Sequence, residues 1–299
     1  MESCTATIVT RNRAEEVCNA VASALEQTTC NEIVVVIDGT EDDTAERLRA
    51  KFPGLRIIEN PERTGLCHAR NQAINAASND FILQFDDDAI CTSPTTAEDI
   101  QKCFINDRVA GVCIPFINVN ISDEVKSKHP NPPTPYVSHN FTGTAIMLRR
   151  SIFLKMGGFT SELMHWGEER DLVMRLVDNG YFLLYGESAP IHHLVSPRRD
   201  TTYQNLYLYR NQIFFNFLRG PLLYLPGLLV AGVAWSLVNA IRSGAIGIAL
   251  RGLGAGFAAC FQYASLRNPV SVKSFNLYMK LRKSGGLPLK DIETIMTLP

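Results

Sequence analysis

Short runs of β-branched and apolar residues alternate with amphipathic segments along the first 90 residues of this 299-residue chain. The run Ile33–Ile37 is continuous rather than alternating, which is typical of a strand covered on both faces. This β-α-β-α order predicts a parallel, doubly wound α/β sheet with right-handed crossovers. The predicted strands are Thr5–Thr10, Ile33–Ile37, Leu55–Ile58 and Phe81–Phe85, and the predicted helices are Ala14–Leu25, Thr44–Phe52 and Leu66–Ala77.

A less regular pattern follows residue 88. The polar stretch Asn118–Asn140 contains four prolines and predicts a long loop, and long loops in compact domains are usually functional or disordered. The other predicted elements are helices Thr95–Asn106 and Glu168–Asn179 and strands Ala110–Pro115, Thr144–Leu148 and Tyr181–Tyr185.

Three adjacent carboxylates, Asp86, Asp87 and Asp88, follow the strand Phe81–Phe85. Packed together they repel one another and their pKa values rise, so something must compensate. A divalent cation takes hard oxygen ligands and would do so. Ligands also bind at the carboxyl ends of strands in sheets of this kind. The alternative interpretation is a solvated acidic turn.

Polar residues also end the first two predicted strands. Asp38, with Gly39 and Thr40, follows the second strand and could accept hydrogen bonds from a nucleotide base or ribose, although Asp-Gly-Thr is also an ordinary turn. The first strand ends in Thr10, Arg11, Asn12 and Arg13. If the first two strands are adjacent in the sheet, this cluster and the one at Asp38 lie side by side.

The start of the third helix combines glycine with arginine. Arg63 and Gly65 precede the helix, and Arg70 and Asn71 lie within it. A helix N-terminus favours anions and Arg binds phosphate with two hydrogen bonds, so this segment predicts a pyrophosphate contact. An ordinary exposed helix is the alternative.

Three acids, Glu168, Glu169 and Asp171, open the helix that follows Trp166. The helix dipole stabilises acids at this position, which is the simpler explanation. A carboxylate held rigidly there could instead take a proton from an acceptor hydroxyl.

Two histidines, His192 and His193, come after the last predicted strand and before Ser-Pro-Arg-Arg. A neutral imidazole in this position can ligate a divalent metal, especially Mn²⁺. A surface histidine is the alternative.

The charge is distributed unevenly. Residues 1–196 carry 17 Lys and Arg against 27 Asp and Glu, whereas residues 197–299 carry 12 against 3. A basic and apolar second part suits an anionic membrane surface, and its apolar content argues against a nucleic acid. Eight cysteines without a CxxC pair indicate neither a zinc site nor a dithiol motif, and favour a reducing compartment.

The segment Pro221–Ile241 has no charge in 21 residues, enough for a helix to span the hydrocarbon core. Ala245–Leu266 is also apolar, but Arg251 would be costly at the bilayer centre. We therefore expect this region to lie in the plane of a membrane, with a true span or a soluble helical subdomain as alternatives. Because Met1–Cys4 leads directly into a strand, we expect no signal peptide and a location at the inner face of the cell membrane.

Taken in order, these motifs resemble those of the family 2 glycosyltransferases, which have the GT-A nucleotide-diphospho-sugar transferase fold. The resemblance covers roughly residues 3–200. Residues 10–13 are similar to Pro-Thr-x-Asn-Arg with Val9 in place of Pro, and residues 37–44 to Asp-Asp-Gly-Ser-Thr-Asp-Gly-Thr with Ile37 in place of the first Asp. The other matches are residues 65–71 with Gly-x-x-x-Ala-Arg-Asn, 86–88 with Asp-x-Asp, 167–172 with Gly-Glu-Asp-x-Asp-Leu, and His193 and Ser196 with His-x-x-Ser.

The resemblance implies a role for each matching residue. Asp38 would contact the nucleotide base, and Asp87 the ribose or the metal. Asp88, with His193, would hold Mn²⁺ or Mg²⁺, while Asp86 supports the turn. The acceptor side would include Gly143, Thr144 and Trp166.

The resemblance implies a GT-A catalytic domain over residues 1–200, and the basic, apolar composition that follows predicts a helical, membrane-associating region over 201–299. The implied reaction moves a sugar from a nucleotide-diphosphate donor to a hydroxyl of a glycan or lipid-linked acceptor, by a single displacement with inversion and with Glu169 as the base. A nucleotidyltransferase of related fold is an alternative, but no Gly-rich Arg-Lys signature follows the first strand. A catalytically inactive binding protein is another alternative, but the acids retained in both acidic clusters argue against it.

Overall fold

The computed structural model describes residues 1–195 and 201–297, and within these ranges thirteen strands form two sheets. In chain order the strands are β1 (Cys4–Thr10), β2 (Cys30–Asp38), β3 (Arg56–Asn60), β4 (Phe81–Phe85), β5 (Ala89–Ile90), β6 (Val109–Cys113), β7 (Phe116–Asn118), β8 (Val125–Lys126), β9 (Tyr136–Ser138), β10 (Ala145–Arg149), β11 (Phe182–Tyr185), β12 (Ile191–His193) and β13 (Leu287–Pro288).

The same described residues contain eleven α-helices, with 3₁₀ turns at Ser161–Leu163 and Ala264–Leu266. The helices are α1 (Ala14–Leu25), α2 (Thr44–Lys51), α3 (Leu66–Ala76), α4 (Thr96–Gln101), α5 (Arg150–Lys155), α6 (Glu168–Asp178), α7 (Thr201–Arg219), α8 (Leu225–Ser243), α9 (Ile246–Gln262), α10 (Val272–Ser284) and α11 (Leu289–Thr297).

The large sheet has the strand order β13-β9-β11-β6-β10-β4-β1-β2-β3. Strand β1 is parallel to β2 and β4, and β2 is parallel to β3, so the predicted parallel, doubly wound arrangement of the first four strands is confirmed. Strand β10 is antiparallel to both β4 and β6, which makes the whole sheet mixed. The run Ile33–Ile37 is buried throughout, as expected for a strand covered on both faces.

The stretch predicted as a loop, Asn118–Asn140, is partly stranded. Within it β8 pairs with β7, and β9 pairs with both β11 and β13. These strands are only two or three residues long and two of the partners are distant in sequence, so no local pattern reveals them.

The small sheet has the order β5-β12-β7-β8 and lies beside the end of β4. Strand β12 pairs with β5 so that His193 is opposite Ala89, directly after the acidic triplet. On its other side β12 pairs with β7 so that His193 is opposite Asn118. This sheet therefore carries His193 back to the end of β4.

Helices after residue 200 share the core of the sheet. One continuous cluster of buried apolar side chains contains Phe214 and Leu218 of α7 and Leu281 of α10, together with residues of β1 and β4. Strand β13 also extends the large sheet, with Leu287 opposite Val137. The division at residue 200 into two regions therefore stays a prediction from the sequence, and the buried core crosses it.

Helices α8 and α9 leave much apolar surface exposed. Among the described residues, α8 is the one helix long and apolar enough to cross a membrane, judged by length and composition alone, and 17% of that window is buried. Large exposed apolar side chains of these two helices include Val230, Ile241, Leu250 and Phe261, and Leu222 and Leu223 are exposed in the segment just before α8.

Candidate active site

A cleft of about 700 Å³ lies at the carboxyl ends of β1, β2 and β4. Among the described residues, it brings together all the predicted site residues except Gly65, Asn71, Asp171 and His192. The predicted residues that line it are Thr10, Arg11, Asn12, Arg13, Asp38, Arg63, Arg70, Asp86, Asp87, Asp88, Gly143, Thr144, Trp166, Glu168, Glu169 and His193. Phe116, Asn118, His165, Tyr203 and Gln204 also line it and were not predicted.

The carboxylate of Asp38, at the end of β2, organises the loop before α3. Its Oδ1 accepts hydrogen bonds from the backbone N–H (2.8 Å) and the hydroxyl (2.7 Å) of Thr64, and its Oδ2 accepts from the N–H of Gly65 (3.0 Å). Burial alone would raise the pKa of Asp38, but these bonds and one from Asn60 outweigh it and lower the pKa. Gly65 has φ +98°, a backbone conformation that favours glycine. It does not line the cleft, and its contribution to the site is the N–H that it donates to Asp38.

Residues at the end of β1 tie that strand to β2. Arg11 donates to the carbonyl of Gly39 (3.2 Å), and Asn12, at φ +54°, accepts from the N–H of Glu41 (2.9 Å). The two clusters predicted to lie side by side therefore do so.

Within the acidic triplet, Asp87 faces β1. Thr10 donates to its Oδ2 (2.8 Å) and Arg13 to its Oδ1 (2.7 Å). Burial raises the pKa of Asp87 to about 7, with Arg13 opposing and Asp88 adding to the rise. The N–H of Ala89 donates to the carbonyl of Asp86 (3.1 Å), which closes a turn at the triplet.

Asp86, Asp88 and His193 form a cluster with the donor set of a divalent metal site. One ligand atom from each lies within 4.8 Å of the others. The sequence predicts that Asp87 contacts the ribose or the metal. In the structure its carboxylate accepts from Thr10 and Arg13, and Asp86 is the acid that lies with Asp88 and His193 in this cluster. Two carboxylates with one imidazole suit Mn²⁺ or Mg²⁺.

His193 is held in place by a residue that the sequence did not indicate. Its Nδ1 lies 2.7 Å from Oδ1 of Asn118, and its Nε2 lies 3.1 Å from Oδ1 of Asp88. When Nδ1–H donates to Asn118, Nε2 carries the free lone pair that ligates a metal. Asn118 lies 75 positions earlier in the chain, and only the β7–β12 register brings it here.

Arg70 is buried between two carboxylates. Its Nη2 lies 2.9 Å from Oδ1 of Asp86 and its Nη1 lies 3.1 Å from Oε1 of Glu168. Its guanidinium connects the metal cluster to the start of α6 while it also lines the cleft, and the contact with a pyrophosphate stays a prediction from the sequence. A Cβ atom on Gly143 would collide with this guanidinium, so a larger residue at that position would push Arg70 out of its present place.

Glu168 and Glu169 open α6 and both line the cleft. Burial, together with the neighbouring Glu169, raises the pKa of Glu168 to about 8, although Arg70 opposes the rise. Burial also raises the pKa of Glu169, again against Arg70. Glu168 is almost completely buried, whereas Glu169 is partly exposed to the cleft. A carboxylate whose pKa is raised is a better proton acceptor than an ordinary one.

Asp171 points away from the cleft, unlike the other two acids of α6. It accepts from Arg219 (2.6 Å), Arg175 (2.9 Å) and the hydroxyl of Thr160 (2.8 Å). Burial alone would raise the pKa of Asp171, but the two arginines outweigh it and lower the pKa. This carboxylate is fully engaged in holding α6 to its neighbours.

Three other predicted residues have distinct environments. Asn71 bonds both the N–H and the carbonyl of Phe159 at 2.8 Å and packs outside the cleft. The guanidinium of Arg63 lies 3.8 Å from the ring centroid of Tyr203, at the cleft wall. Ser196, which matches the Ser of the His-x-x-Ser motif, lies outside the described residues.

Solved structures share this architecture. A mannosyltransferase from Pyrobaculum calidifontis, PcManGT, in complex with GDP-Man and Mn²⁺, aligns with a TM-score of 0.58 and 20% identity over 93% of this chain and 78% of that one. S. aureus TarS residues 1–349 in complex with UDP aligns with a TM-score of 0.55 and 18% identity over 85% and 90%. The protein therefore has the GT-A glycosyltransferase fold, as predicted.

The family described as glycosyl transferase family 2 matches residues 5–161, more than half of the chain, and the chain belongs to that family. The O-antigen chain rhamnosyltransferase WbaN of Salmonella anatum is 25% identical over 189 residues, covering 56% of this chain. The succinoglycan biosynthesis protein ExoU of Rhizobium meliloti (strain 1021) is 27% identical over 197 residues, covering 58%. The matches span 58% and 56% of those two relatives, respectively.

Proposed function

We propose that this protein transfers a sugar from a nucleotide-diphosphate donor to a hydroxyl of a glycan or lipid-linked acceptor, by a single displacement with inversion. The observation that carries the proposal is one cleft that holds both a cluster suited to a divalent cation and a basic carboxylate, Glu169, at the start of α6. Membership of family 2 and relatives named for O-antigen and succinoglycan synthesis support it.

Asp86, Asp88 and His193 would hold the Mn²⁺ or Mg²⁺ ion. When bound, the ion would offset negative charge on the departing diphosphate as a Lewis acid. Asn118 orients His193 for this role, and Arg70 fixes the carboxylate of Asp86. Arg13 and Thr10, at the end of β1, hold Asp87 in place, so the middle acid of the triplet anchors the triplet to that strand end.

Asp38 and the end of β1 would form the donor-binding side of the cleft. Asp38 remains ionised because its pKa is lowered, so it can accept a hydrogen bond from a base or ribose. Asn12 and Arg11 shape the neighbouring wall by joining the ends of β1 and β2.

Glu169 is the proposed base. It is partly exposed to the cleft, whereas Glu168 is buried against Arg70 and Asp171 is held by Arg175 and Arg219. A raised pKa suits Glu169 to take the proton of the acceptor hydroxyl as that oxygen attacks the sugar. Attack on the face opposite the leaving diphosphate inverts the anomeric centre.

Gly143, Thr144 and Trp166 would shape the acceptor side. Trp166 is 47% exposed at the cleft and could stack on a sugar ring through its indole face. Thr144 donates to Oδ2 of Asp86 (2.9 Å), so this side also steadies the metal cluster.

The surface of α8 and α9 is the proposed membrane contact. Residues 221–262 contain no Asp or Glu, and they include exposed Arg242 and Arg251 as well as exposed apolar side chains such as Leu223 and Phe261. Apolar area together with positive charge suits an anionic bilayer at the inner face of the cell membrane, where lipid-linked acceptors are available.

A donor screen tests the proposed function. Thermal shifts of the full chain would be measured with UDP-, GDP-, dTDP- and CMP-sugars, with and without Mn²⁺. The expected result is stabilisation by one nucleotide class that depends on Mn²⁺, followed by transfer to give a product of inverted anomeric configuration by NMR. Binding without hydrolysis or transfer would indicate an inactive binding protein. Release of pyrophosphate from a nucleoside triphosphate supplied together with a sugar 1-phosphate would indicate a nucleotidyltransferase.

A further inference from the structure

Asn211, in the middle of α7, binds the loop that precedes α6. Its side chain is buried, and its Nδ2 lies 2.7 Å from the carbonyl of Leu163, 2.9 Å from that of His165 and 2.7 Å from that of Trp166. Its Oδ1 accepts from Arg210 at 2.6 Å. Two amide hydrogens thus serve three carbonyls of one loop, and both polar atoms of the side chain are engaged.

The backbone of this 163–167 loop is strained. Met164 and Trp166 have φ of +62° and +67°, and Gly167 has φ of +92°. Residues other than glycine persist in such conformations only where their surroundings hold them. The carbonyls that Asn211 binds belong to residues within or beside this strained turn, so its amide is placed to hold the turn in shape.

The loop leads directly into the proposed base. Gly167 is the last residue before α6, and Glu168 and Glu169 are the first two residues of that helix. The position of Glu169 therefore depends on how the preceding loop is held. Helix α7 also contacts the first turn of α6 directly, because Arg219 of α7 donates to Asp171 of α6.

We propose that Asn211 is a positioning residue that keeps Glu169 aligned with the acceptor hydroxyl by holding the 163–167 loop. The inference rests on Glu169 being the base of the proposed reaction. It gives the segment after residue 200 a direct part in the reaction, besides any contact with a membrane.

The chain offers a matched control. Asn216 is also buried in α7, but its Nδ2 donates to the carbonyl of Leu228 in the α8 segment (2.9 Å) and does not reach the loop. Replacing either asparagine by alanine removes one buried amide from the same helix. Asn211→Asp provides a second variant, of nearly unchanged shape but without the amide donors.

Kinetics of the full chain separate positioning from general destabilisation. Asn211→Ala and Asn211→Asp should lower kcat about 10- to 100-fold while KM for the donor changes little, because only the alignment of the attack is lost. Asn216→Ala should keep kcat within about twofold. Equal losses of kcat in Asn211→Ala and Asn216→Ala, at temperatures where both are folded, would overturn the inference.

A second measurement needs no substrate. The chain has two tryptophans, so a Trp235→Phe background leaves Trp166, in the loop itself, as the only one. In that background Asn211→Ala should increase acrylamide quenching of Trp166 and lower its anisotropy, and Asn216→Ala should not. Unchanged Trp166 fluorescence in Asn211→Ala would overturn the inference. If no donor is turned over by the wild type, the proposed function fails, while this measurement still decides whether Asn211 holds the loop.

Discussion

Asn118 and His193 lie opposite each other in the parallel pair β7–β12, and Oδ1 of Asn118 is 2.7 Å from Nδ1 of His193. The small sheet therefore sets both the position and the orientation of the imidazole that faces Asp88. A residue with no acidic or basic group thus decides which ring nitrogen is offered to a metal.

Replacing Asn118 by Ala should weaken Mn²⁺ binding about 10- to 100-fold, because the imidazole loses the partner that fixes its orientation and tautomer. The measurement is a Mn²⁺ titration followed by EPR of the free ion. Asn120→Ala, an exposed asparagine two positions later, is the control and should bind Mn²⁺ as the wild type does. Equal affinity in both variants would contradict the orienting role.

Glu169→Gln should reduce turnover about 100- to 10,000-fold, because the amide cannot accept the proton of the acceptor hydroxyl. Binding of the nucleotide with Mn²⁺ should stay close to normal, since Glu169 is not part of the metal cluster. Initial rates and the affinity for the nucleotide would be measured on the same preparations. A variant that keeps most of its turnover would rule out this residue as the base.

Asp171→Asn should destabilise the protein by about 3–5 kcal/mol at neutral pH, because it leaves Arg175 and Arg219 without their shared carboxylate. The folded pKa of Asp171 is below its ordinary value of 3.8. Its contribution is therefore present above that value and is lost as the pH falls through the folded pKa.

Urea unfolding of both proteins at pH 7 and at a series of lower pH values tests this dependence on pH. The difference in free energy of unfolding should shrink as the solution becomes more acidic. Asp107→Asn, at an exposed position, should show no such difference at any pH. A gap between wild type and Asp171→Asn that stays constant down to about pH 3 would contradict the assignment.

Membrane binding should depend on the surface of α8 and α9. Leu223→Ser with Phe261→Ser should reduce flotation of the full chain with anionic vesicles, because both side chains are largely exposed and would enter the interface. Arg242→Gln with Arg251→Gln should weaken the binding most at low salt. Ile121→Ser changes an equally exposed apolar residue of the catalytic part and serves as the control. If the unmodified chain does not float with such vesicles, the membrane proposal fails.

The sequence by itself determined that the first four strands alternate with helices and run parallel, and that polar clusters follow the first, second and fourth of them. Both follow from local pattern: a continuous apolar run such as Ile33–Ile37 predicts a strand covered on both faces, and the β-α-β order then places Asp38 and the acidic triplet at one edge of the sheet. The resemblance to family 2 rested on the same local motifs, and the family match confirms it.

Only the tertiary structure decided which side chains of those motifs meet. It turned Asp87 toward Arg13 and paired Asp86 with Asp88, and it placed Arg70 between two carboxylates rather than on open surface. It also brought Asn118 to His193 across 75 positions and Asn211 to the carbonyl of Trp166 across 45. Contacts of this kind depend on strand register and helix packing between distant segments, which no local periodicity encodes.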